Sequence, residues 1–194
     1  RGLGDVYKRQ YKDLTDEEMI HAINLMMEGE IEQHLIEHFL LGLNKKGITV
    51  REISSAAKVM REKSLKFDLK DSDIIDTCGT GGTGLHIFNC STASAIVATA
   101  AGAKVSKHGN RGISSKSGSA DFLVEAGANI NHEREQLAEI FNKVGFVFLF
   151  APLHHLSMKH VMPARQNLAT KTIFNLLGPH TNPSNAKKQT VSYT

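Results

Sequence analysis

Two stretches hold most of the residues in this chain that can do chemistry. The first is Asp76-Thr77-Cys78-Gly79-Thr80-Gly81-Gly82-Thr83-Gly84-Leu85-His86-Ile87-Phe88-Asn89-Cys90-Ser91-Thr92. It sets a run of glycines behind a short apolar segment and closes on an amide and two hydroxyls. Glycines let backbone N–H groups approach an anion closely, as a nest. Ser91 and Thr92 stand where a helix would open, and there the free N–H groups and the helix dipole favour phosphate. Their hydroxyls add donors, or a ligand for a magnesium that accompanies the phosphate. The second stretch is Lys107-His108-Gly109-Asn110-Arg111-Gly112-Ile113-Ser114-Ser115-Lys116-Ser117-Gly118-Ser119-Ala120-Asp121. Three cations and four serines between Lys107 and Ser119 suit a heavily charged leaving group such as pyrophosphate.

Other readings of these stretches fit less well. Gly79-x-Gly81-x-x-Gly84 matches the dinucleotide fingerprint in form, but the expected helix opens only after Asn89-Cys90-Ser91-Thr92. The acidic residue that would hold a ribose about 20 positions on is replaced by Lys104. A Walker loop needs Lys-Ser/Thr after its last glycine, where this chain has Leu85-His86. A plain strand-to-helix turn needs only one or two glycines. For the second stretch the bland alternative is a solvated, flexible loop. Asp121 is either a catalytic acid or a charge at a helix N-terminus. His154, His155 and His160 fit no tight metal triad and read as ordinary polar helix faces. Cys78 and Cys90 form no CxxC pair, so neither a disulfide framework nor a zinc site is expected, and a reducing cytoplasm fits best.

The elements that must position these residues fall into two groups. Residues 11–68 read as helices. Thr15-Asp16-Glu17-Glu18 and Thr49-Val50-Arg51-Glu52 are capping boxes. Apolar stripes at helical spacing follow: Met19, Ile23, Met26 and Met27; then Ile31, Leu35, Phe39 and Leu43; then Ile53, Ala56, Ala57 and Met60. The Met stripe reads as core. Three such helices make a small bundle whose apolar faces need a partner. From about residue 69 strands alternate with helices: strands at 73–76, 103–106 and 146–150, helices at 91–101, 119–126 and 133–143. This is the βαβ signature of a mostly parallel sheet, here of about three strands. In such a sheet the loops after the strand carboxyl ends form the ligand crevice, so the two glycine-rich loops are expected to face one another. After Ala151-Pro152 the pattern is helical or irregular, and residues 156–180 are candidates to pack on the helical part.

Composition sets wide bounds. With 194 residues, 41% apolar and 22% charged, the chain reads as a soluble globule of one ordinary domain, or one large and one small piece. A net charge of +3 with ten histidines uncounted suits an anionic small molecule and is small for a nucleic-acid binder. No run of about 18 apolar residues predicts a membrane span.

Taken together, GTGG (79–82), FNCST (88–92), KHGNRGISSKSGSAD (107–121), MPAR (162–165) and TIFNLLGPHTNP (172–183) resemble the anthranilate phosphoribosyltransferase family over about residues 13–189. The resemblance implies an α/β fold with an N-terminal helical bundle and a partial, mostly parallel sheet flanked by helices, as in nucleoside phosphorylases and phosphoribosyltransferases. It implies transfer of a phosphoribosyl group from 5-phosphoribosyl 1-pyrophosphate (PRPP) to the amine of anthranilate in tryptophan biosynthesis, with release of pyrophosphate. It also implies Mg²⁺, a homodimer formed through the helical domain, and a cytoplasmic location. Carried over residue by residue, PRPP would be held by Gly79, Gly82, Thr83, Ile87, Asn89, Cys90, Ser91, Thr92, Lys107, His108, Gly109, Asn110, Arg111, Gly112, Ile113, Ser114, Ser115 and Ser119. Ser91 would also touch the magnesium. Anthranilate would be held by Gly79, His108, Asn110, His155 and Arg165. No residue is expected as acid or base; Lys107 and Arg111 would answer transition-state charge. Arg165 suits the carboxylate by a two-point, charge-assisted contact, or is a surface arginine at a helix start after Pro163. Pyrimidine nucleoside phosphorylase and a non-catalytic nucleic-acid-binding paralogue are the alternatives.

The chain departs from the family at Thr83, usually Asp, and at Ile87, usually Thr. Each lost contact of this kind costs ~0.5–1.5 kcal/mol. Residues 1–10 show neither cap nor period. With 191–194 they read as non-native sequence at the edges of a fragment that lacks the family's C-terminal part and its acidic Asp-Glu pair. The expectation is that the 194-residue chain alone does not turn over.

Overall fold

The computed structural model of the chain describes residues 12–71, 73–81, 88–112 and 117–191. Three helices open it: α1 (Asp16–Glu28), α2 (Gln33–Lys46) and α3 (Val50–Lys63). Both capping boxes form, with the Thr15 and Thr49 hydroxyls accepting from the Glu18 and Glu52 amides and each glutamate reaching back to its cap. Glu52 does more than cap. Its buried carboxylate accepts from the Leu14 amide at 2.9 Å, the Thr49 amide at 2.8 Å and the Lys46 ammonium at 2.7 Å. That fixes the entry to α1 against the start of α3.

The bundle does not close on itself. Its core of Met19, Ile23, Met26, Met27, Ile36 and Leu40 is completed by Met158, Val161, Ala164, Ile173, Phe174 and Leu177 from late in the chain. Those residues lie on a 3₁₀ turn (Leu156–His160), α8 (Met162–Leu168) and α9 (Ile173–Leu177), with Val161 joining the first two. Gln33 pins the two parts together: its amide nitrogen donates to the His160 carbonyl at 2.9 Å and its oxygen accepts from the Ala164 amide at 3.1 Å. At the end of α1, Gly29 adopts φ 77°, and a Cβ there would sit 2.6 Å from His160 Nδ1. The left-handed turn and the close approach both call for glycine.

The rest of the chain forms a parallel sheet in the order β3-β2-β1-β4, with β1 (Ile74–Asp76), β2 (Lys104–Gly109), β3 (Phe146–Phe150) and β4 (Lys188–Gln189). Helices α4 (Cys90–Ala100), α5 (Ser119–Glu125) and α6 (Arg134–Val144) connect the strands, and α7 (Ala151–His154) follows β3 directly. Phe67, Ile74, Leu137, Phe141, Val147 and Leu149 make one apolar layer; Ala120, Leu123, Ile130 and Phe148 make another. The expectation of three strands is corrected to four. β4 pairs Lys188 with Ile75 and Gln189 with Asp76, and the Thr190 amide continues onto the Asp76 carbonyl at 2.9 Å. Its two residues are polar and exposed, so backbone pairing alone makes it a strand. Among the described residues no helix is long and apolar enough to cross a membrane.

Candidate functional site

Because β1 and β2 run parallel, Asp76 and Gly109 end their strands at the same edge of the sheet. Asp76 ties the two following loops together. Its buried Oδ1 accepts from the Cys78 amide at 3.0 Å, at the start of the first glycine loop, and from the His108 amide at 3.1 Å, at the end of β2. Its other oxygen meets no hydrogen-bond partner of good geometry among the described residues, although the Asn182 amide stands close enough to favour its ionised form. Burial pushes this carboxyl above the usual carboxylate range. The neighbouring Cys78 thiol is pushed up to about 12, by burial first and by Asp76 second. It stays protonated at neutral pH and is no nucleophile.

Lys107 comes up from β2 beneath these loops and is 1% exposed. Among the described residues its ammonium hydrogen-bonds to neutral oxygens: Thr77 Oγ1 at 3.2 Å, the Thr77 carbonyl at 3.4 Å and Ser91 Oγ at 3.4 Å. Burial lowers its pKa. Thr77 in turn donates to the Ser91 carbonyl at 2.9 Å, so the first loop, β2 and the start of α4 meet at one point. Asn89 caps α4. Its Oδ1 accepts from the Thr92 amide at 3.3 Å, the Thr92 hydroxyl at 2.8 Å and, more distantly, the Ser91 hydroxyl at 3.4 Å. Thr92 is wholly buried with its hydroxyl turned to the cap, whereas Cys90 stands exposed at the first helical position.

The second loop leaves β2 at Gly109 and returns at Gly118. Asp121, at the start of α5, holds its ends: Oδ2 accepts from the Gly112 and Gly118 amides, both at 2.8 Å, and Oδ1 accepts from Arg111 at 3.0 Å. Asp121 is thus a loop clamp. Arg111 is half exposed, paired with Asp121 and 6.0 Å over the Phe150 ring. Gly109 and Gly118 both allow close approach. A Cβ on Gly118 would lie 2.5 Å from the Asn110 carbonyl, and one on Gly109 2.7 Å from the Phe148 ring and against Ser119 Oγ. Ser119 Oγ lies 3.4 Å from the Asn110 carbonyl.

A third group comes from the C-terminal segment. His108 Nδ1 lies 3.2 Å from the Gly178 carbonyl, and His155 Nε2 lies 3.1 Å from the Thr181 carbonyl. The two rings are 5.1 Å apart between centroids. Gly178 packs on the first loop, where its Cβ would be 3.5 Å from Cys78 Sγ and 3.7 Å from the Gly79 carbonyl. Burial brings the His108 imidazole down to about 3 and that of His155 to about 4. The expectation that His154 and His155 lie on polar helix faces is corrected: both are buried. Arg165 is also buried, on α8. Its guanidinium stacks over Phe174 at 5.6 Å and reaches Asn175 Oδ1 at 3.5 Å and Met162 Sδ at 3.9 Å. No carboxylate pairs with it among the described residues, and burial draws its pKa down to about 10.

The fold therefore gathers Gly79, Asn89, Ser91, Lys107, His108, Gly109, Asn110 and Ser119 around the carboxyl edge of β1 and β2. It brings His155 beside His108, and Arg165 onto the helix that leads to Gly178. Gly82, Thr83, Ile87, Ile113, Ser114 and Ser115 lie outside the described residues. Sequence reasoning passed over Asp76, Thr77, Asn175 and Thr181. Only Asp76 carried a readable signal, an acidic residue at the last position of an apolar strand directly before the glycines. Among the described residues no group of three His, Cys, Asp or Glu side chains could hold a metal ion.

Comparison with known proteins agrees with this architecture. Two family models match, described as the glycosyl transferase family helical bundle domain over residues 7–64 and the glycosyl transferase family a/b domain over residues 71–194. The chain is 49% identical over 180 residues to anthranilate phosphoribosyltransferase of Hahella chejuensis, covering 93% of this chain and 52% of that protein. It is 51% identical over 180 residues to the Methylobacillus flagellatus protein of the same name, covering 92% and 53%. It thus spans about half the length of the curated relatives it matches. Among solved structures, the anthranilate phosphoribosyltransferase of Thermus thermophilus superposes with TM-score 0.86 at 38% identity, over 96% of this chain and 57% of that one. The Saccharomyces cerevisiae enzyme in complex with PRPP and Mg superposes with TM-score 0.85 at 28% identity, over 97% and 57%. The same yeast enzyme in complex with 4-fluoroanthranilate gives 0.78 at 26%, over 97% and 55%.

Proposed function

The chain belongs to the glycosyl transferase family, and from that premise we propose that its site serves transfer of a phosphoribosyl group from PRPP to the amine of anthranilate, releasing pyrophosphate. The observation that carries this is Lys107: a buried ammonium whose hydrogen-bond partners among the described residues are neutral oxygens, at the meeting point of a glycine loop and a helix start. Asp76 attracts it from a distance, but among the described residues no carboxylate forms an ion pair with it, and a buried cation so placed is costly unless a ligand supplies the anion. The Ser91 hydroxyl stands beside it at the α4 N-terminus, where the Cys90, Thr92 and Ala93 amides donate to Phe88 and Asn89, so phosphate oxygens find an ammonium, a hydroxyl and the positive end of a helix dipole in one place.

The mechanism follows from charge. As the bond between the anomeric carbon and pyrophosphate breaks, its electron pair leaves with the pyrophosphate, and positive charge grows on the ribose. Lys107 and the α4 N-terminus answer the growing negative charge. Arg111 shapes the second loop through Asp121, and it answers that charge only after leaving Asp121. Arg165 takes the carboxylate of anthranilate, an anion that its buried guanidinium lacks among the described residues. An arylamine is neutral and nucleophilic at pH 7, so bringing the two substrates together does most of the remaining work. Ser91 would offer one hard oxygen to a magnesium ion arriving with the pyrophosphate, whose phosphates would supply others, and such an ion would supply neutralisation of part of the pyrophosphate charge. A homodimer through the helical bundle belongs to the same proposal.

A ligand panel tests the proposal. Thermal melting of the 194-residue chain should rise with PRPP plus Mg²⁺ and rise again with anthranilate, and should ignore thymidine with phosphate. A response to thymidine and phosphate alone would identify a nucleoside phosphorylase instead. A response to DNA that fades steeply with salt would identify a nucleic-acid binder.

A further inference from the structure

A second hollow lies beside β3, the end strand of the sheet. The chain leaves α5 by a left-handed turn at Gly127 (φ 87°), and the Ala128 amide returns to the Leu123 carbonyl at 2.9 Å. It then buries Ile130 and enters α6 at Glu133, whose amide donates to Gln136 Oε1 at 3.0 Å. Between this connection, the two helices and β3 remains a cavity of about 250 Å³, walled by Leu123, Ile130, Leu137, Ile140, Phe146 and Phe148. The polar side chains at it are the exposed Asn129, whose Oδ1 already accepts from the Asn131 amide at 2.9 Å, and the half-buried His132. Among the described residues no Lys, Arg, Asp or Glu lines it.

We propose that this cavity is a second binding site, for a small uncharged aromatic molecule of one or two rings. Volume and lining carry the inference. An apolar cavity of roughly 150 Å³ lined by Leu, Ile and Phe stays dry and takes a benzene, and this larger one has room for two fused rings. Phe146 and Phe148 offer ring faces and edges to such a guest. A charge buried there would meet no partner and be costly, so the cavity rejects the phosphates and carboxylates that suit the glycine loops. The two places are also apart. Phe146 opens β3, whereas Gly109 pairs with Phe150 at its end, roughly 13 Å further along the strand.

The cavity is still in contact with the second loop. The Phe148 ring belongs to its wall, and a Cβ on Gly109 would lie 2.7 Å from the same ring. Phe148 also stacks on Phe150, 6.4 Å between centroids and 23° between planes, and Arg111 lies 6.0 Å over Phe150. Close-packed side chains pass a displacement on to their neighbours. An occupant that moves the Phe148 ring therefore moves a support of Gly109, where the second loop leaves its strand, and occupancy is felt at Gly109 as well as in the cavity.

Indole is the probe that tests this, because the chain contains no tryptophan and indole emission moves to the blue in apolar surroundings. Titration into the 194-residue chain should show saturable binding with a Kd on the order of 0.1–1 mM. Benzene should compete with it and benzoate should not. Ala128→Phe places a ring at an exposed position of the lining. It should weaken indole binding at least roughly tenfold and leave the melting temperature unchanged. A second measurement needs no variant: in ¹H–¹⁵N spectra the amides of Ile130, Phe146 and Phe148 should move as indole is added, and Gly109 should move with them. Displacement of indole by benzoate, wild-type affinity in Ala128→Phe, or amide shifts confined to Ser91 and Arg165 would each put the probe elsewhere and overturn the proposal. So would a folded wild-type chain that binds no indole. A Gly109 amide that stays still while the other three move would overturn the link to the second loop.

Discussion

Lys107 is the residue at which stability and binding pull apart. Its ammonium is desolvated and satisfied only by long contacts to Thr77 and Ser91. Lys107→Met keeps the stem's volume and removes the buried charge. It should leave the folded state equally stable or up to about 2 kcal/mol more stable by denaturant titration, while PRPP binding is lost. A destabilised Met variant would mean that the ammonium holds the loops together. The imidazoles make a second prediction, on pH. His108 and His155 titrate near 3 and 4 when folded, against 6.5 for the free side chain, and His154 is lowered in the same direction. Between those values the unfolded chain binds protons that the folded chain does not. The stability is therefore whole above about pH 6.5 and falls as pH drops, by on the order of a few kcal/mol at pH ~4. Asp76, raised by burial, works against that fall at its acid end. Melting temperature should drop on acidification, and less in His108→Phe. A pH-independent melting temperature would contradict the buried, neutral rings.

At the scale of elements, the second loop depends on two residues that touch no substrate group. Gly118 leaves room for the Asn110 carbonyl and the Gly112 amide, and Asp121 gathers both ends of the loop. Gly118→Ala should cost about 1–3 kcal/mol by overpacking and weaken PRPP binding together with stability. Unchanged stability by urea titration would show that the loop does not need this close approach. The elements also show what the sequence could reveal. The helices α1 and α3 were legible because Thr15/Glu18 and Thr49/Glu52 write their starts locally. The strand β3 was legible because Phe146–Phe150 is an unbroken apolar run. The strand β4 was not: Lys188 and Gln189 hold a strand only because Ile75 and Asp76 offer an edge, and that edge is a long-range fact. The histidines failed for a similar reason. His154 and His155 look polar in the chain, but they are buried by an α7–3₁₀ corner folded against residues about 25 or more positions away. Lys107, Ser91 and the glycines were read as an anion site from residue type and spacing alone; that Lys107 meets Ser91 and Thr77, 16 and 30 positions away, is a fact of the fold. Asp76 was missed because its task is to join two loops.

Across the whole molecule, the helical bundle and the sheet are not independent. Residues 158–177 finish the core of the bundle, and the same segment carries Arg165 and Asn175 and runs into Gly178, whose carbonyl meets His108. The bundle thus sets where the substrate carboxylate would rest relative to Lys107. The bundle also leaves Leu41 and Val50 exposed. If it is the dimer surface, sedimentation equilibrium should give twice the chain mass and Leu41→Glu should shift it towards the monomer; a monomer at every concentration would contradict the proposed pairing. The central claim is that the ammonium under the glycine loop is there for a pyrophosphate. The most direct test is calorimetric titration of PRPP with Mg²⁺ into the wild-type chain and into Lys107→Met, each first shown to be folded. One-site binding by the wild type, weakened at least roughly a hundredfold in the variant, is the result expected. Equal binding by the two proteins, or no heat with a folded wild type, would contradict it.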